Sequence, residues 1–272
     1  MATKLMFYER PVALNRERHQ RTRLAVKPDH YRFAAVTNAL PITAGEFAEA
    51  ARDYPIVFVG EENGPFNVAA LVGLRDAQNL MVDADGRWAA GTYVPAFARR
   101  YPFVLAQGDD KDRLTVCVDE VYPGVNEAEG EPLFDAQGQE TPFLKRILEF
   151  LQAFHGEAQR TSEFAGKLHE LGLLVPKVIN VERKDQPRQS LRGLWVVDQA
   201  KLRGLDNARV VELFRNGYLS WIDAHLISLG SLPRLVARLD AHTAVSDEKG
   251  AVTAPSTEPA HDAPAAGDVV KH

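Results

Sequence analysis

The 272-residue chain contains one cysteine, Cys117. No intramolecular disulfide can form, which excludes a disulfide-built extracellular scaffold and makes a reducing compartment the expectation. Long apolar runs are missing as well. The longest, PIVFVG at 55–60 and VAALV at 68–72, fall far short of the roughly 18–20 residues that span a bilayer. The opening MATKLMFYERPVALNRERHQ is no secretion signal, because Glu9, Arg10 and Pro11 break its apolar part at once. A cytoplasmic location is therefore expected. Excess positive charge is absent too: 32 Lys and Arg against 37 Asp and Glu leave a net charge of -5, so no nucleic-acid partner is expected. What remains is ordinary globular material, 45% hydrophobic and 25% charged, enough for one large core or two modest ones.

The motifs that announce chemistry are also lacking. No G-x-G-x-x-G follows a strand, and GEENG at 60–64 has no Lys-Ser/Thr after it. A phosphate cradle needs backbone N–H groups beside such a lysine. There is no G-x-S-x-G turn, C-x-x-C, H-E-x-x-H or H-x-H. His155 and His169 share a predicted helix face but lie roughly 21 Å apart along it, too far to hold one ion. Asp83-Ala84-Asp85-Gly86 places its glycine and its twelfth residue, Val94, wrongly for a calcium loop and reads as a hairpin turn. No metal and no cofactor is expected.

The residues that are present predict an α+β fold with a β-rich N-terminal half carrying short helices, a more helical C-terminal half and a disordered tail. Residues 1–32 form a basic arm, expected to lie solvated over the domain. The domain itself spans 33–240, with a turn-rich sub-boundary near 126–140. Strands are predicted at 33–37, 55–60, 67–74, 103–106 and 114–118, around an acidic exposed loop at 108–113. TAGEFAEAAR at 43–52 carries a capping box, Thr43 with Glu46. The segment 79–88 is a hairpin whose Gly86 supplies the positive φ. A short helix starts at Pro95. A long helix starts at the Thr141 cap with Pro142 in its first turn and stops at Gly172 and Pro176. Strands at 179–181 and 194–197 pair across a charged segment. Helices follow from Asp206 or Asn207 to Gly217, over 218–229, and from Ser231 to Leu239. From 241 to 272 there is no aromatic residue, Leu or Ile, too little apolar surface to offset ordering entropy.

Candidate site residues are few. Asp119 and Glu120 close the strand LTVCVDE and form an acidic pair suited to acid–base work. They would raise rather than lower the pKa of Cys117, which reads as a buried, inert thiol. His225 is the third catalytic candidate and lies one helical turn from Trp221. Arg99 and Arg100, with Trp88 and Trp221, are candidate binding residues lining a groove. Strand-end carboxylates ordinarily face solvent, and tryptophans ordinarily fill cores.

Several strings taken together resemble the SapC family. They are FYERPVALNRERH, YRFAAVTNALPITAGEF, YPIVFVG, NLMVDADGRWAAGTYVPAFARRYPFVL, LTVCVDE and LRGLWVVDQAKLRGLDNARVVELFRNGYLSWIDAHLISLGSLPRL. The resemblance runs from about residue 6 to 239 and implies an association with the bacterial surface layer or envelope. It brings no catalytic residue with it. The leading expectation is a non-enzymatic accessory or binding protein whose partners are envelope or surface-layer components. The alternative is a cytoplasmic enzyme or enzyme partner using Asp119, Glu120, Arg99, Arg100 or His225. A subunit of a surface array is a third expectation, although such proteins often carry repeats or acidic calcium runs, which are lacking here.

Overall fold

The computed structural model of the protein describes residues 5–107, 114–181 and 189–252. It is an α+β fold. In chain order its first half holds β1 (Pro11–Ala13), β2 (Arg23–Leu24), β3 (Ala39–Pro41), α1 (Phe47–Ala50), β4 (Ile56–Val59), β5 (Asn67–Leu71), α2 (Ala96–Arg99), β6 (Phe103–Gln107), β7 (Leu114–Asp119), β8 (Val125–Asn126) and β9 (Glu131–Pro132). The second half holds α3 (Pro142–Glu170), β10 (Leu174–Val181), β11 (Gln189–Val197), α4 (Gln199–Arg203), α5 (Asn207–Arg215), α6 (Tyr218–Ser228) and α7 (Leu232–Val252). The strands form an antiparallel five-stranded sheet, β10-β11-β4-β5-β3, and two three-stranded sheets, β1-β7-β6 and β8-β2-β9.

Two apolar cores result. One joins the large sheet to α1, the C-terminal half of α3, α6 and α7. The other joins β6 and β7 to the N-terminal half of α3. The helix α3 serves both: Leu144 and Leu151 lie in the second core, Phe164, Ala165 and Leu168 in the first. Its 29 residues make it roughly 44 Å long at 1.5 Å per residue, enough to underlie both sheets. The predicted cap is in place, with the Thr141 hydroxyl accepting from the Leu144 N–H at 3.2 Å.

The basic N-terminal stretch is woven into two sheets. Val12 lies opposite Val118, and Arg23 lies opposite both Asn126 and Pro132. At its start, aromatic rings join the two cores: Phe7 packs on Phe33 and Phe97, and Phe33 packs on Tyr101 with centroids 4.1 Å apart. Phe7 has φ 76, a left-handed conformation that costs a residue with a Cβ roughly 1–2 kcal/mol. Its ring contacts hold it there.

Three local expectations change. Residues 33–37 are not a strand; His30–Ala34 is a 3-10 helix. FAAVT lacks a polar–apolar alternation, and turning the chain there sends His30 and Ala34 into buried positions. The strands predicted at 179–181 and 194–197 do belong to one hairpin, but Ile179 faces Leu191 while Leu194 faces Lys177, with a register shift between Lys177 and Ile179. Finally, α7 passes Leu239 and the composition change at 241 to reach Val252. The rest of the tail, residues 253–272, lies outside the described residues, as does the loop 108–113. Among the described residues no helix is long and apolar enough to cross a membrane.

The Thr43–Glu46 capping box is present, and it does more than cap. The buried Glu46 carboxylate accepts from the Thr43 N–H at 2.8 Å and its hydroxyl at 2.9 Å through one oxygen. Through the other it accepts from the Tyr93 hydroxyl at 2.9 Å and the Ala96 N–H at 2.7 Å. It therefore ties the start of α1 to the start of α2. Replacing Glu46 with Ala strands two buried N–H groups and is expected to cost about 3 kcal/mol, with Gln recovering part. Urea unfolding checks this; a loss below about 1 kcal/mol would contradict it.

Candidate functional site

Each candidate residue from the sequence has a definite place. His225 is fully buried. Antiparallel pairing of β11 with β4 sets Leu194 opposite Val59 and Trp195 opposite Phe58. The same register carried two residues further sets Val197 opposite Ile56. There the imidazole bridges the two strands. The Val197 N–H donates to Nε2 at 3.1 Å, and Nδ1–H donates to the Ile56 carbonyl at 2.9 Å. Because Nε2 must accept, the ring is the neutral Nδ1–H tautomer. Ser228, one turn on, completes the tie: its Oγ accepts from the Ile56 N–H at 2.9 Å and donates to the His225 carbonyl. Burial holds the His225 pKa down to about 4, although the Ile56 hydrogen bond works the other way.

Asp119 and Glu120 part company. Asp119 is fully buried rather than solvent-facing. Its carboxylate accepts from the Glu9 N–H at 3.0 Å, the Arg10 N–H at 2.9 Å and the Tyr101 hydroxyl at 3.3 Å. It staples the N-terminal stretch beside β7, where β1 begins. Glu120 lies at the surface of the same junction, within 2.7 Å of Arg18, 3.5 Å of Arg10 and 3.4 Å of His19. Desolvation works to raise its pKa, but Arg18, His19 and Arg10 hold it below the usual carboxylate range. His19 is 3% exposed; its Nδ1 lies 3.0 Å from both the N–H and the carbonyl of Asn15, and its Nε2 lies 3.4 Å from Glu120. The sequence did not single out His19; its only signal was a histidine among the charges of NRERHQ.

Arg100 joins this neighbourhood from the other side. Its guanidinium lies 4.0 Å from the Phe97 ring centroid, 5.0 Å from Phe154 and 6.0 Å from Tyr8. Burial lowers its pKa, with Tyr8 opposing. The Tyr8 hydroxyl donates to the Phe103 carbonyl at 2.7 Å, and burial raises its pKa well above the ordinary value. The structure thus gathers Asp119, Glu120 and Arg100 around residues 8–10. Arg99 points outward over Tyr93 and Phe150. The tryptophans stand apart from it. Trp88 packs on Tyr31 and directs its indole N–H to the Tyr54 hydroxyl at 3.3 Å. Trp221 packs on Phe164 and Tyr218, with the Arg160 guanidinium over its ring. Cys117 is buried, and desolvation raises its pKa.

None of these residues lines the most spacious concavity described, a groove of about 710 Å³. Strands β3, β4, β5 and β11 supply its apolar floor through Ala39, Val59, Leu71 and Leu194, and Arg75 and Arg192 stand among its polar lining. Its exposed lining is more polar than apolar, with Asn38, Asp76 and Ser190 beside the two guanidinium groups. No local motif could have pointed to it, because its walls come from residues more than a hundred positions apart. Among the described residues no group of three or more His, Cys, Asp or Glu could hold a metal ion.

Residues 14–235 match the SapC family model. No curated protein and no solved structure matches the chain.

The buried imidazoles make stability depend on pH. His225 and His30, the latter with its Nδ1 hydrogen-bonded to the Tyr122 hydroxyl at 2.9 Å, both have pKa values held down by burial to about 4, against an ordinary 6.5. On acidification the unfolded chain takes up these protons first. The stabilisation is therefore complete above pH 6.5 and is lost as pH falls from there toward 4, by up to about 1.4 kcal/mol per pH unit for each ring. Urea titrations between pH 6.5 and 5 are expected to show this slope. His225→Gln, whose amide offers a donor nitrogen and an acceptor oxygen but does not titrate, is expected to remove about one proton's worth. An unchanged slope would contradict the His225 geometry.

Proposed function

The chain belongs to the SapC family, and from that premise we propose that it is a non-enzymatic accessory or binding protein of the bacterial surface layer or envelope, taking its ligand in the groove between β11 and β3. The observation that carries this reading is the separation of the reactive-looking side chains from the groove. Asp119 and His225 spend their polar atoms on backbone groups. The groove instead offers a few apolar side chains with the Arg75 and Arg192 guanidinium groups and the Asp76 carboxylate beside them. In such a space a ligand meets polar and charged groups more than apolar ones, and the charges select it. The surface-layer link is the one implied by the family resemblance.

Fractionation of cells producing a tagged full-length chain tests the reading. The tagged chain is expected to travel with envelope or surface-layer components. Val59→Glu and Arg192→Glu, at exposed positions of the groove, are expected to release it at least tenfold while leaving the melting midpoint within about 2 °C. A partner-free protein confined to the soluble lysate would contradict the reading. Stabilisation by a metabolite that Glu120→Gln abolishes would favour the enzyme alternative.

A further inference from the structure

A second concavity lies between α1 and α6 and has a different character. Ala48, Ala51 and Ala224 give it a floor of methyl groups, within a volume of about 430 Å³. Ile227 stands at its edge with 72% of its surface exposed. Asp223 and Ile227 are four residues apart and so share one side of α6. Arg52, also at the groove, is 74% exposed and pairs with Glu49 of its own turn at 3.1 Å, a contact that holds it weakly.

The strip holds one protruding aliphatic knob, one hole of small residues, the Asp223 carboxylate and the Arg52 guanidinium, whose exposed partner Glu49 can yield to a second carboxylate. A two-fold axis through it would seat each Ile227 in the other copy's alanine hole. It would also set each Arg52 beside the other copy's Asp223. We propose that two copies of the chain associate across this face as an isologous dimer. A second copy is the occupant that uses all four features at once. A partner carrying charge of one sign would leave Arg52 or Asp223 opposed by a like charge or by nothing.

Sedimentation velocity on the full chain tests this. A species of twice the chain mass is expected at tens of micromolar, and Ile227→Glu is expected to weaken association at least tenfold. Arg52→Glu alone and Asp223→Arg alone each place like charges across the axis and are expected to sediment as monomers. An equimolar mixture of those two variants is expected to recover the dimer, since each new charge then meets its opposite. All three positions are exposed, so circular dichroism should show unchanged folding. A monomer at every concentration to about 100 µM, a dimer that survives Ile227→Glu, or a mixture that fails to recover would each overturn the proposal.

Discussion

One imidazole holds the large sheet to the C-terminal helices. Val197 and Ile56 would exchange a ladder hydrogen bond if β11 and β4 simply ran on. Instead the His225 ring bridges their N–H and carbonyl groups, and Ser228 takes the remaining N–H of Ile56. The strands are 141 positions apart in the chain at Ile56 and Val197, and the ring closes them at a depth that water does not reach. An unpaired polar group there would cost roughly 1–3 kcal/mol. The requirement that Nε2 stay bare fixes the tautomer. The Phe58 ring, 5.2 Å from the imidazole and 6.0 Å from Phe164, then links the bridge to α3.

The same device recurs with carboxylates. Asp119 fastens the N-terminal stretch, and Glu46 fastens the starts of α1 and α2. In each case a side chain usually associated with catalysis satisfies backbone donors that the irregular chain would otherwise leave unpaired. Short strands and 3-10 turns leave many such donors. Aromatic packing around Phe7, Phe33 and Tyr101 then supplies the apolar joint between the two cores. The groove lies elsewhere, among strands β3, β4, β5 and β11, where Leu71 and Leu194 of its floor also belong to the larger core.

Much of the fold was legible locally. The Thr141 cap and Pro142 place the start of α3 because both act within one turn. Strand β4 follows from the β-branched Ile56, Val57 and Val59, with β5 as the neighbour expected of it, and the Thr43–Glu46 box follows from spacing alone. What was not legible depends on distant contacts. The sequence reads 218–229 as a helix with Leu219, Ile222, Leu226 and Leu229 on one side; Leu219 and Leu226 do pack on the core, but the buried side chains of α6 are Ile222, His225 and Ser228. A histidine at that position reads as the partner of a nearby helix or loop carbonyl; the carbonyl it meets belongs to a strand 169 positions away. Asp119 reads as a solvent-facing strand end until residues 9 and 10 fold onto it. The groove is assembled from four strands and has no linear trace.

The central claim is that the reactive-looking groups are structural ties. It is tested most directly by the ¹⁵N chemical shifts of the His225 ring in the full-length chain, followed as pH is lowered. The account predicts a protonated Nδ1 and a bare Nε2 that do not titrate until about pH 4. An Nε2–H tautomer, or a ring that titrates near the ordinary pKa of 6.5, would contradict it.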